Sequence, residues 1–183
     1  MTVETLREQL PDYARDIKLN LGAVLTTEGA PDLNEKQIWL VALASAYATR
    51  APTLWQTLEH EASARLNDVE RRAARTAATL MAMNNVYYRF LHLLGDPEMK
   101  KLPARLRMNG LASHGIAKLD FEAMSLAVSA INGCGMCIEA HVHELKQQGA
   151  TVLAIQSIAR IAAVMAATAQ GLYLEQPALA QAA

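Results

Sequence analysis

Apolar residues recur along this chain every three or four positions, and no segment alternates apolar with polar over the length of a strand. The spacing predicts a short helix over Val3–Leu10, stopped by Pro11, and another over Tyr13–Val24. Turn formers crowd Thr26–Pro31. Asn34 then caps an apolar helix that runs to Thr49. A more polar helix spans Thr53–Ala64. Asp68 caps a long helix reaching about Leu94, where Gly95-Asp96-Pro97 ends it. Glu98–Arg107 is basic and reads as an exposed connection. Asp120–Ile131, Cys134–Gln148 and Val152–Leu174 are the last three helices. The fold class is all-α.

The helix order long, medium, long occurs twice. Ser45-Ala46 returns as Ser129-Ala130, and Ala74-Arg75-Thr76-Ala77-Ala78 as Ala159-Arg160-Ile161-Ala162-Ala163. The reading is one domain, residues 1–183, built from related halves at about 1–95 and 104–183. In this echo Arg50 and Thr53 stand in the places of Cys134 and Cys137. Only the second half carries thiols.

Composition narrows the class. Apolar residues make up 52% of the 183, enough for a sizeable core. With 17 basic and 18 acidic residues, the chain lacks the positive surplus of a nucleic-acid binder. The apolar run Ile161–Leu174 falls short of the ~20 residues a membrane span needs, so no membrane partner is expected. Met1-Thr2-Val3-Glu4 does not open a secretory signal, and the expected compartment is the cytoplasm. There, a lone Cys-x-x-Cys is more often catalytic than a structural brace.

Cys134 and Cys137 are the only cysteines. Asn132-Gly133 is a turn signal that ends one helix and leaves Cys134 in the first turn of the next. Backbone N–H groups there are unpaired and the helix dipole favours a thiolate. At about 100° per residue, Cys134, Cys137 and His141 share roughly 60° of arc. His143 and Glu139 point away. His141 is the candidate base for Cys137, because a thiolate is the nucleophile and a thiol is not. The carboxylate that would orient His141 is either Glu144, one turn along the same helix, or Glu122 on the preceding helix. The chemistry expected is attack by the Cys137 thiolate on a peroxide O–O bond, giving a sulfenic acid, with Cys134 closing a disulfide. Competing readings are two inert core thiols, or half a zinc site made of Cys134, Cys137 and His141 that lacks a fourth ligand. The polar run Met83-Asn84-Asn85 with Tyr87-Tyr88-Arg89 reads as a seam between helices or subunits. The methionines read as core filler, and His60, His92 and His114 have no assigned role.

Four ordered motifs resemble the alkyl hydroperoxide reductase D (AhpD) family of the wider carboxymuconolactone decarboxylase-like group. They are Leu10-Pro11-Asp12-Tyr13-Ala14-Arg15-Asp16-Ile17-Lys18-Leu19-Asn20-Leu21, Met83-Asn84-Asn85-Val86-Tyr87-Tyr88-Arg89, Leu106-Arg107-Met108-Asn109, and the stretch from Phe121-Glu122 through Cys134, Cys137 and Ala140-His141. The resemblance implies an all-helical AhpD-like fold assembling as a homotrimer. It implies Cys137 as the peroxidatic residue, Cys134 as proton donor and resolving partner, and Glu122 rather than Glu144 joining His141 in a proton relay. No cofactor or metal is implied as bound. Electrons would come from dihydrolipoamide on a lipoylated dehydrogenase-complex subunit and pass to the peroxiredoxin AhpC or to an organic hydroperoxide. Met136 stands where some relatives carry a histidine. The alternatives on the same scaffold are an electron carrier with little peroxidase activity of its own, or a non-redox decarboxylase-like protein.

Overall fold

A computed structural model describes residues 1–175, and among them no strand occurs. The helices are α1 Val3–Glu8, α2 Arg15–Val24, α3 Glu35–Thr49, α4 Pro52–Ala62, α5 Asp68–Leu94, α6 Pro97–Lys101, α7 Lys118–Ile131, α8 Gly135–Gln147 and α9 Val152–Leu174. The all-α reading holds.

Helix starts follow the capping chemistry. Asn34 accepts the Gln37 N–H at 2.9 Å, and the Gln37 side chain accepts the Asn34 N–H at 3.1 Å, so two otherwise unpaired donors are met reciprocally. The cap of α5 is Asn67, not Asp68. Asn67 accepts from Val69 and Glu70 at 2.9 and 3.0 Å, and Glu70 reaches back to the Asn67 N–H. Three residues beyond Asp68 lies Arg71, a donor that cannot complete such a box. The basic connection is not wholly irregular, because Asp96 caps the short helix α6 by accepting the Glu98 N–H.

Helices α3 and α7 form the centre. Every residue from Ile38 to Ala46 of α3 is buried, the signature of a helix apolar all round. In α7, Phe121 and Ala123 to Ser129 are buried. Helices α5 and α9 pack on both, and α8 lies against α7 and α5. Helix α9 is long and apolar enough to cross a membrane by length and composition, more so than the run Ile161–Leu174 suggested. It packs on α2, α3 and α7 and buries Ile158, Ile161, Met165 and Leu172. The start of α7 is anchored by the buried Asp120, which accepts from Lys36 Nζ at 2.8 Å and Gln37 Nε2 at 3.0 Å. That hydrogen bond holds the Lys36 ammonium above the usual lysine range.

The succession α3, α4, α5 has lengths of 15, 11 and 27 residues, and α7, α8, α9 of 14, 13 and 23. The corners inside the two sets correspond. Arg50, at φ 58°, precedes the N-cap Ala51, and Gly133, at φ 67°, precedes the N-cap Cys134. Matched this way, Ala51 and Leu54 stand opposite Cys134 and Cys137. The sequence echo, which put Arg50 and Thr53 there, is displaced by one residue: α7 ends two residues earlier than α3 when both are counted from the echoed serine, and the α7–α8 corner contains one residue more.

Candidate active site

The corner between α7 and α8 is built by hydrogen bonds that only one backbone path allows. Helix α7 ends in a Schellman motif: Gly133 N–H donates to Ala130 O at 3.2 Å and Cys134 N–H to Ser129 O at 3.1 Å. The motif needs a left-handed residue before Cys134, and Gly133 supplies it without a Cβ penalty. Cys134 is therefore not inside the first turn of α8, as the spacing suggested, but is its N-cap. Its Sγ accepts the Cys137 N–H at 3.3 Å. An N-cap side chain reaches the third residue of its helix, and here that residue is the second cysteine. The two form a disulfide with Cα atoms 5.3 Å apart.

Burial separates the sulfurs. Cys134 is 0% exposed and Cys137 6%. Cys137 opens into a cavity of about 270 Å³ that is also lined by His141, Glu122, Asn84, Tyr88, Met81, Met108, Leu111 and Met136. Cys134 does not line it. Two larger depressions of about 540 and 470 Å³ surround Arg50 and contain neither cysteine.

Of the two carboxylates that compete for His141, Glu122 is the one in contact: its Oε2 lies 2.7 Å from His141 Nδ1. Glu144 is engaged by the Lys118 ammonium and by Gln148 Nε2 at 3.1 Å. Lys118 holds the Glu144 carboxyl below the usual range. The Phe121–Glu122 turn of α7 faces α8 across the corner, which is why a carboxylate distant in sequence wins over one a turn away. His143 turns outward to Gln147 Nε2 at 2.8 Å, and Glu139 is exposed. Among the described residues no three His, Cys, Asp or Glu side chains are arranged to hold a metal ion.

Helix α5 carries the helix seam expected of its polar run and adds contacts to the site beyond it. The polar run in its middle is a seam against α7. Buried Asn85 donates to Ser129 Oγ at 2.9 Å and accepts from Asn132 Nδ2 at 3.0 Å, and Arg89 donates to the Asn132 carbonyl. These bonds clamp the corner that carries Cys134. Asn84 is buried at the cavity, and its Oδ1 has no protein partner. Met81 places its Sδ 3.3 Å from His141 Nε2. Three of the eight methionines, Met81, Met108 and Met136, line the site, Met81 from within the core. His114, too, is at the site's edge. It stacks on Phe121 with ring centroids 4.2 Å apart, and desolvation there lowers its pKa, against a smaller opposing pull from Glu122. The one sequence signal for this group was the paired asparagines in the middle of a helix, where polarity is costly unless it meets a partner.

Comparison with known proteins gives a consistent answer. The profile of the carboxymuconolactone decarboxylase family matches residues 97–179. The protein named alkyl hydroperoxide reductase AhpD of Coxiella burnetii (strain RSA 493 / Nine Mile phase I) is 51% identical over 168 residues, covering 92% of this chain and 95% of that protein. The AhpD of Frankia alni is 53% identical over 169 residues, covering 92% and 90%. That of Rhodopseudomonas palustris (strain BisA53) is 45% identical over 183 residues, covering 100% and 99%. With identity at this level along almost the whole of both sequences, the chain belongs to the AhpD family of the carboxymuconolactone decarboxylase group.

Proposed function

We propose that this chain is a thiol peroxidase that reduces alkyl hydroperoxides through a Cys134/Cys137 dithiol–disulfide cycle. The observation that carries the reading is that Cys137, and not Cys134, opens into the cavity it shares with the His141–Glu122 pair. His141 takes the Cys137 proton, and Glu122 orients the ring and stabilises its charge. The thiolate attacks the peroxide, the O–O bond breaks, and the alcohol leaves with a proton, so Cys137 becomes a sulfenic acid. The Cys134 thiol then attacks that sulfur. The S–S bond forms and water leaves. One hydroperoxide and two thiols have become alcohol, water and disulfide. A dithiol returns two electrons and two protons, and dihydrolipoamide on a lipoylated dehydrogenase-complex subunit is the reductant proposed. The apolar lining of Met81, Met108, Leu111 and Met136 suits an alkyl chain or a lipoyl arm better than a charged donor. Met136 cannot move a proton, so the relay here consists of His141 and Glu122. AhpC, the peroxiredoxin that the family resemblance implies as partner, is the one this chain is proposed to recycle. A cytoplasmic homotrimer is the proposed working form.

The test is a thiol titration before and after one equivalent of tert-butyl hydroperoxide, repeated after dihydrolipoamide. Two thiols per chain should disappear and then return, and Cys137→Ser should abolish turnover. Unchanged thiols after peroxide, or full turnover in that variant, would end the proposal. Turnover with and without AhpC separates a peroxidase from a pure electron carrier, and a sedimentation mass checks the trimer.

A further inference from the structure

We infer that the Met81 thioether is the second hydrogen-bond acceptor of His141, and that Met81 is a positioning residue keeping Nε2 protonated while the cysteines are joined. The inference rests on the dithiol cycle proposed above and adds to it a place where a proton waits.

The two ring nitrogens meet different neighbours. Nδ1 faces Glu122 Oε2 at 2.7 Å, and Nε2 faces Met81 Sδ at 3.3 Å. A thioether accepts hydrogen bonds and has no proton to donate. The Nε2 contact is therefore a hydrogen bond only when Nε2 carries hydrogen. The Nδ1–Glu122 contact requires one more proton, on either side. With Nε2–H on sulfur, the pair is an imidazolium beside a carboxylate or a neutral ring beside a carboxylic acid; the neutral Nδ1–H tautomer would leave the sulfur contact without its hydrogen. Met81 is 1% exposed and the His141 side chain 14%, so the contact is largely shielded from bulk water.

The other titratable groups around this contact come from each packed element. Helix α7 supplies Glu122, with Lys118 one turn before it, and the segment ahead of α7 supplies His114. Helix α5 supplies the Tyr88 hydroxyl at the cavity, and α8 supplies Cys137. Met108, Leu111 and Met136 complete the lining without charge. None of these offers Nε2 an acceptor at the distance of Met81.

The stored proton has a use. When an incoming thiolate attacks Cys137, one S–S bond forms, the old one breaks, and Cys134 leaves as thiolate and takes the proton the incoming thiol gave up. The second thiolate of the dithiol then attacks the incoming sulfur, Cys137 leaves as thiolate, and Nε2–H protonates it; the second thiol's proton passes to solvent, which supplied the Nε2 proton during the peroxide half-cycle. His141 is then neutral at Nε2, as it must be to take the Cys137 proton in the next peroxide step. A weak acceptor suits the task, because a carboxylate at Nε2 would hold the proton too firmly to release it.

The test reads proton occupancy directly. Long-range ¹H–¹⁵N spectra of the oxidised, ¹⁵N-histidine-labelled protein follow His141 Nε2 across pH, in the parent, Met81→Leu and Met81→Gln. Leucine keeps the volume and removes the acceptor. Glutamine restores an acceptor as an amide oxygen. At the parent's midpoint, Met81→Leu should show a protonated-to-unprotonated ratio about threefold to tenfold lower, the net worth of one hydrogen bond. Met81→Gln should lie close to the parent. In the parent with ¹³C-methyl methionine, the Met81 methyl resonance should shift with the same midpoint as Nε2, a measurement that needs no variant to fold. Superimposable titrations of the parent and Met81→Leu, equal losses in both variants, or a Met81 methyl that ignores the titration would overturn the inference. The readout does not depend on turnover. A chain that loses no thiols to peroxide would sink the proposed function and leave this result readable.

Discussion

Replacing Gly133 with alanine tests the claim that one left-handed residue sets the redox corner. The cost can be worked from its parts. Gly133 holds φ at 67°, and a Cβ built there meets no heavy atom within 4 Å. No steric penalty adds to the conformational one. The left-handed region costs an L-residue roughly 1–2 kcal/mol. Alanine also restricts the unfolded chain relative to glycine, which offsets about 0.4–1 kcal/mol. The expected net loss is about 1 kcal/mol, or about 2–4 °C in Tm for a chain of this size. Asparagine tolerates the left-handed region, so Gly133→Asn should lose less than Gly133→Ala. Thermal unfolding of the oxidised protein, followed by circular dichroism, measures both. The cap bonds to Ala130 and Ser129 survive in either variant, so two thiols per chain should still respond to peroxide. A fall beyond about 10 °C would mean that an unseen clash governs the corner, because that exceeds the whole conformational penalty. An alanine variant no worse than the asparagine one would refute the left-handed argument itself.

Two further outcomes follow from the surroundings of the site. Asn85→Leu removes the donor to Ser129 Oγ and the acceptor for Asn132 Nδ2, and should cost about 2–4 kcal/mol in chemical denaturation, since each stranded buried group costs about 1–3 kcal/mol. A loss below about 0.5 kcal/mol, the range of an ordinary surface change, would show that the seam does not clamp the corner. His114 is held below the ordinary histidine range by burial against Phe121, so the folded state favours its neutral form. Its contribution is intact above the unfolded histidine value and is lost as pH falls through the window between the unfolded and the folded value. His114→Phe should therefore flatten the decline in denaturant midpoint between about pH 7 and pH 5, and an unaltered slope would refute this.

What could be read in advance divides by the range of the interaction. Helices with several turns announce themselves by periodicity, and α9 begins and ends where the pattern placed it. Ends shifted where two good caps stood side by side. Asn67 and Asp68 are equally able acceptors, and the choice fell to the residue with a glutamate three positions on. Helix α6 is five residues long, too short for a period to show. At the site, the shared face of Cys137 and His141 is a local property of one helix, so spacing alone reveals it. The Glu122 contact is not local. Counting along α8 leaves Glu144 equally eligible, and only the packing of α7 against α8, with Lys118 occupying Glu144, separates the two. Met81 and Asn84 reach the site from α5, with no sequence proximity to Cys137. Asn84 left a trace in the chain, polarity in the middle of a helix, and Met81 left none.

The two helix corners show why the chemistry sits in one of them. Both use a left-handed residue followed by an N-cap, and both lead into a helix whose third residue is buried: Leu54 in α4 and Cys137 in α8. An acceptor atom on the N-cap side chain hydrogen-bonds to the N–H of the second or third residue. Two thiols at those positions are therefore brought together by the same geometry that caps the helix, before any tertiary contact forms. At the first corner the N-cap is Ala51, which makes no cap, and the left-handed position is filled by Arg50 at a conformational cost. At the second, glycine removes that cost and sulfur does the capping. The redox pair needs no backbone that the other corner lacks, apart from one added residue. What distinguishes the second corner is its neighbours: α5 brings Met81, Asn84 and the Asn85 clamp, and α7 brings Glu122, to a third residue that opens into a cavity, whereas Leu54 at the first corner is fully buried.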